Sequence, residues 1–157
     1  MDENYRLFLE SVDENNREFV NQLNEIFLEN GYNCVIKTAK NGYVASYITK
    51  KPKRTIANFV FRKSGMKMRI YATHVSEYQS FLDSLPENMK KDITKSLNCK
   101  RLIDPTDCSS RCSMGYIFDM DGEQYKKCRY MAFMPTLSEE NNPFIMQFIK
   151  NEISCIN

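Results

Sequence analysis

Tryptophan is absent from this chain, histidine occurs once, and glycine and proline occur five times each. With His74 as its one imidazole, the chain has no material for a multi-histidine metal site and almost none for histidine-dependent nucleophilic catalysis. An isolated histidine at a strand-to-helix junction reads first as a structural residue capping the helix, the alternative being that it lines a pocket beside Tyr71 and Tyr78. The scarce glycines form neither of the phosphate-cradling loops, Gly-x4-Gly-Lys-Ser/Thr or Gly-x-Gly-x2-Gly, and the EF-hand ligand pattern is missing as well. Asp119 and Asp121 therefore read as turn residues around Asp121-Gly122 rather than as paired catalytic carboxylates. Apolar runs are only a few residues long, far below the roughly 20 that a membrane span requires. The start, MDENYRLFLESVDENN, is acidic and amphipathic where a secretory leader would be basic and then apolar. The expected location is cytoplasmic, where thiols stay reduced and clustered cysteines bind metal or do chemistry more often than they form disulfides.

A further absence is more specific. No acidic residue lies between positions 30 and 76, a stretch that holds ten Lys and Arg, whereas residues 1–29 hold eight acids against two bases. The overall charge of +2 hides this separation. Lys50, Lys51, Lys53 and Arg54 crowd one short segment. Lys37, Lys67 and Arg69 alternate with Tyr43, Tyr47, Phe59, Phe61 and Tyr71 along predicted strands. Cations interleaved with aromatics can hold phosphates and stack bases, so these seven cations are the candidate site for an anionic partner, nucleic acid among the candidates. The competing reading is that the positive sheet faces the acidic N-terminal helix, or protects edge strands from aggregation.

The chain is 42% apolar and 27% charged, which suits one domain over 1–157 with no linker. Within it, 1–97 is expected to hold a helix, a sheet and two helices, and 98–157 a cysteine loop, a hairpin and a final helix. Tyr5, Phe8, Leu9 and Val12, then Phe19, Val20, Leu23, Ile26 and Phe27, recur at helical spacing as one long helix or two short ones. Asn41-Gly42 and Ser64-Gly65 mark two hairpins whose strands alternate apolar and cationic residues. The stretch HVSEYQSFLDSL predicts a helix, and PENMKKDITKSLN another, with Met89, Ile93 and Leu97 on one stripe. A third hairpin turns at Asp121-Gly122 with Cys128 on its returning strand. A last helix starts at Pro143 behind an Asn142 cap and turns Phe144, Ile145, Phe148, Ile149 and Ile153 inward. The expected class is α+β, an antiparallel meander with helices grouped before and after it.

In architecture, the segments FVNQLNEIFLENGY, the two hairpins over 33–72 and YATHVSEYQSFLDSL resemble the small bacterial YjbR/TfoX-N-like domains. The resemblance covers about half the chain and implies a small sheet-and-helix module associated with DNA or with other ligands. That group has no segment matching the cysteines, and no functional residue is transferred from it.

Four of the six cysteines follow the spacing Cys99-x8-Cys108-x3-Cys112-x15-Cys128. Four thiolates drawn together by a loop and a hairpin would complete a tetrahedral zinc site, and zinc would order a loop that has little apolar content. Structural zinc on Cys99, Cys108, Cys112 and Cys128 is the expected cofactor. The spacing lacks paired Cys-x2-Cys knuckles, so unligated thiols remain open, as does iron–sulfur use. Arg101, Arg111, Lys126, Lys127 and Arg129 flank the cysteines and would favour a thiolate, which keeps open a thiol-dependent redox sensor or enzyme using Cys108 or Cys112.

Overall fold

The chain, seen as a computed structural model, is described over residues 2–109 and 111–156. Its N-terminal amphipathic stretch forms two helices, α1 (Glu3–Ser11) and α2 (Glu14–Glu29), because Val12 adopts an extended conformation between them. The Asp2 carboxylate caps α1 by accepting the Asn4 N–H at 2.7 Å.

The strands β1 (Asn33–Ala39), β2 (Gly42–Ile48), β3 (Thr55–Arg62) and β4 (Gly65–Ile70) pair antiparallel in the order β1-β2-β3-β4. The first two turns sit one residue earlier than Asn41-Gly42 and Ser64-Gly65 predict. Ala39 pairs with Gly42 and Arg62 with Gly65, so the turn residues are Lys40-Asn41 and Lys63-Ser64, and each glycine opens the next strand at positive φ. The third turn, between β5 (Tyr116–Met120) and β6 (Glu123–Lys127), does use Asp121-Gly122, both at positive φ as a type I′ turn demands.

Strand alternation gives the meander two unlike faces. On one, Tyr47, Ala57, Phe59, Met68 and Ile70 are buried under helices: Phe27 stacks on Tyr47 at 4.1 Å, and Phe8 meets Phe59 and Phe61 at 6.0 and 5.9 Å. The last helix, α5 (Asn142–Ile156), joins this layer through Phe148, whose ring lies 5.2 Å from Phe133. The segment 133–137 lengthens the sheet beyond β4, through bonds from Met68 N to Pro135 O (3.1 Å), Ile70 N to Phe133 O (2.9 Å) and Leu137 N to Met66 O (2.9 Å). The opposite face carries Val35, Lys37, Val44, Ser46, Ile48, Lys67 and Arg69, with Asn58 and Val60 buried between them on β3.

The predicted helix over 74–85 is instead two 3-10 turns, Val75–Glu77 and Gln79–Ser84. Its side chains are claimed from several directions: Tyr78 and Phe81 by Phe148 of α5, Gln79 by the Asp119 N–H and Asp83 by the Asp121 N–H. A regular helix would aim them along one stripe, so tertiary contacts override the local periodicity. Helix α3 (Glu87–Lys95) buries Met89 and Ile93 as the spacing predicts, but Leu97 is 64% exposed. The chain leaves the helix at Ser96 to bridge Asn98 to Lys127 of the hairpin, then forms the short α4 (Lys100–Ile103). The architecture is α+β, with an antiparallel four-stranded sheet, a two-stranded sheet and helices at both ends of the chain.

Candidate anion-binding face

Register places the candidate cations. Lys37 and Lys67 share a rung, Lys37–Val44–Val60–Lys67, and Arg69 ends the next, Val35–Ser46–Asn58–Arg69. All three side chains therefore project from the face away from α1 and α2. Lys50, Lys51, Lys53 and Arg54 lie exposed in the β2–β3 connection at the end of the same sheet. Among the described residues, none of the ten Lys and Arg over 30–76 makes an ion pair; the pairs of Arg6 with Glu3 and Glu10 stay within α1. The acidic helices thus cover the apolar face while the cations occupy the other, and the expected alternative of a positive sheet facing the acidic helix is not the arrangement formed.

The aromatic part of the expectation needs correction. Tyr43, Tyr47, Phe59 and Phe61 alternate onto the helix-covered face and pack in or against the core. Of the five sheet aromatics, only Tyr71 continues the cationic face. It meets Tyr130 edge-on at 5.9 Å, and the Arg129 guanidinium lies 5.9 Å from its ring.

Beside Tyr71 the strand ends border a hollow of about 270 Å³, lined in part by Lys51, Arg54, Thr73, His74, Glu152 and Cys155. Glu152 is 0% exposed. Its Oε1 accepts the Tyr78 hydroxyl at 2.6 Å and the His74 backbone N–H at 3.2 Å, and its Oε2 lies 2.6 Å from His74 Nδ1. Burial, and then the Glu152 carboxylate, push the Tyr78 pKa well up, so this hydroxyl stays a donor. The sequence reading missed Glu152. Its signal was available: position 152 falls on the stripe of Ile145, Phe148, Ile149 and Ile153, where a charge is out of place.

The four candidate metal ligands are spread along the hairpin and its loop. Cys99 is buried, and its Sγ accepts the Gly115 N–H at 3.2 Å. Cys128 follows β6, its N–H bonded to Leu97 O at 2.8 Å, while Cys99 donates to Lys126 O at 2.9 Å across the same bridge. Cys108 is exposed at a φ of 64°, and the carbonyl of half-buried Cys112 accepts from the Arg101 guanidinium. Among the described residues, no three His, Cys, Asp or Glu side chains gather into a group able to hold an ion. Cys34 is half-buried in β1, where burial pushes its thiol up to about 11.

No family model, curated protein or solved structure matches this chain. Among the described residues no helix is long and apolar enough to cross a membrane.

Proposed function

We propose that this chain is a non-enzymatic cytoplasmic module that binds single-stranded nucleic acid along the cationic face of its sheet. One observation carries the proposal: Lys37, Lys67 and Arg69 project together from a face with no carboxylate on its strands, opposite the acidic helices. Such a face attracts phosphates through counterion release, and Tyr71 with Tyr130 offers rings at its end for a base to stack on. A sheet without a protruding helix has little to insert into a duplex groove, which favours a single strand.

Anisotropy of a labelled single-stranded oligonucleotide tests this. With three to four phosphates engaged, log K should fall against log salt with a slope of about −2 to −3. Lys37→Glu with Lys67→Glu should weaken binding at least ~10-fold, about 1.4 kcal/mol. Salt-independent affinity, or a neutral double reversal, sinks the proposal; equal affinity for a duplex removes its single-strand part.

A second reading keeps structural zinc on Cys99, Cys108, Cys112 and Cys128. Its support is local: the Gly115 N–H already serves the Cys99 sulfur, and 103–109 is exposed chain with little to order it. Binding would require that loop to close, since the thiols are not gathered as they stand. One zinc per chain after purification without chelator supports it, and a metal-free folded protein removes it.

A further inference from the structure

The hollow that holds His74 opens beside a second cleft of about 460 Å³, lined by Arg54, Thr73, Ser113, Arg129 and the rings of Tyr71 and Tyr130. Arg54, Thr55, Tyr71 and Thr73 belong to both linings, so the two form one continuous depression at the end of the cationic face. Its cations are Lys51, Arg54 and Arg129, and its one carboxylate is Glu152. Both oxygens of that carboxylate already face donors from His74 and Tyr78. What Glu152 does is hold the imidazole: with Nδ1 committed at 2.6 Å, Nε2 is the ring nitrogen left for a ligand, on a side chain 32% exposed.

We propose that this depression binds a phosphate monoester carried by a nucleotide, the phosphate in the hollow and the base in the cleft against Tyr71 and Tyr130. The proposal rests on the reading of the sheet as a nucleic-acid surface and deepens it. In the hollow, Lys51, Arg54 and a fixed imidazole edge, with no unspent carboxylate, suit a dianion better than a singly charged carboxylate. The Arg54 guanidinium fork matches phosphate oxygens, while Arg129 lines the cleft beside the Tyr71 ring. The smaller hollow has room for a phosphate but is tight for a whole nucleotide, which leaves sugar and base to the larger cleft. Glu152, Cys155 and Ile156 of α5 wall the hollow, which suits a group at the end of a strand more than a diester passing through.

The monoester has two sources, a free mononucleotide and the phosphorylated end of a strand. Because the chain has one histidine, its two ring nitrogens give unambiguous ¹⁵N signals. Titration with adenosine 5′-monophosphate should move Nε2 and leave Nδ1 in place, whereas adenosine should move neither. In parallel, oligonucleotides phosphorylated at the 5′ or 3′ end are compared with the hydroxyl-ended strand. Tightening of at least ~5-fold identifies the strand end as the source; a response to the mononucleotide without that increment identifies the free nucleotide. Thr73→Asp, which sets a carboxylate in the shared wall at an exposed position, should weaken the mononucleotide at least ~5-fold. A still Nε2 with every phosphorylated probe overturns the proposal, even where the hydroxyl-ended strand binds. So does an equal response to adenosine, or an unchanged affinity in Thr73→Asp. If the mononucleotide moves Nε2 while no strand binds, the sheet reading fails and the pocket stands.

Discussion

Glu152 occupies a core position on α5 that an apolar side chain would fill without breaking the helical stripe. Replacing it by Leu nonetheless orphans the Tyr78 hydroxyl, the His74 amide and the His74 ring together. Glu152→Leu should therefore destabilise by about 3 kcal/mol, seen as a lower urea midpoint at unchanged m. A higher midpoint would show that these donors rehydrate freely. Cys34 makes a separate pH prediction. Burial in the fold raises its pKa from the ordinary 9.0 to about 11. Its proton thus favours the folded state, and that contribution is present below pH 9 and lost as pH climbs from 9 to about 11. Cys34→Ala should flatten this alkaline fall in stability, and alkylation at pH 8 should reach exposed Cys108 well before Cys34.

At the scale of elements, the β5–β6 hairpin is joined to the rest of the chain by a close approach at Gly115. A Cβ there would lie 2.0 Å from Lys127 O and 2.8 Å from Cys99 Cβ, both held in place by the Asn98–Lys127 bridge. Gly115→Ala should cost about 2–3 kcal/mol through forced separation of these strands, measured by thermal or urea unfolding. A neutral result would mean that the hairpin docks loosely. Lys127, 5% exposed, serves the same junction: its ammonium donates to Thr94 O, Ser96 O and Asn98 Oδ1 at 2.8 to 3.0 Å. Element existence was legible wherever a period ran uninterrupted, as in α2, α5 and the three hairpins. The 3-10 turns after β4 were illegible, because their geometry follows from partners on α5 and the hairpin that no local window contains.

For the molecule as a whole, acidic helices and a basic sheet face lie on opposite sides of one apolar layer, and among the described residues the sheet cations make no ion pair, although Asp92 of α3 borders one pocket with Arg62, Lys63 and Lys67. Their mutual repulsion costs stability, as expected of a surface kept for a charged partner. Lys37→Gln with Lys67→Gln should leave thermal stability unchanged or raise it by up to about 0.5 kcal/mol while weakening strand binding. A fall above about 1 kcal/mol would reveal hidden pairing. The charge separation was visible along the chain. Which side of the sheet received the cations followed from parity against Tyr47 and Phe59, and the loss of four aromatics to the core followed from the same parity.

Local pattern by itself determined the α+β class, the hairpin count and the segregation of charge, since each depends on residues within a few positions of one another. Tertiary structure alone decided that Glu152 would meet His74 across 78 residues and that 133–137 would extend the sheet. Those outcomes depend on packing between distant segments, where burial and unpaired donors, rather than periodicity, select the partners.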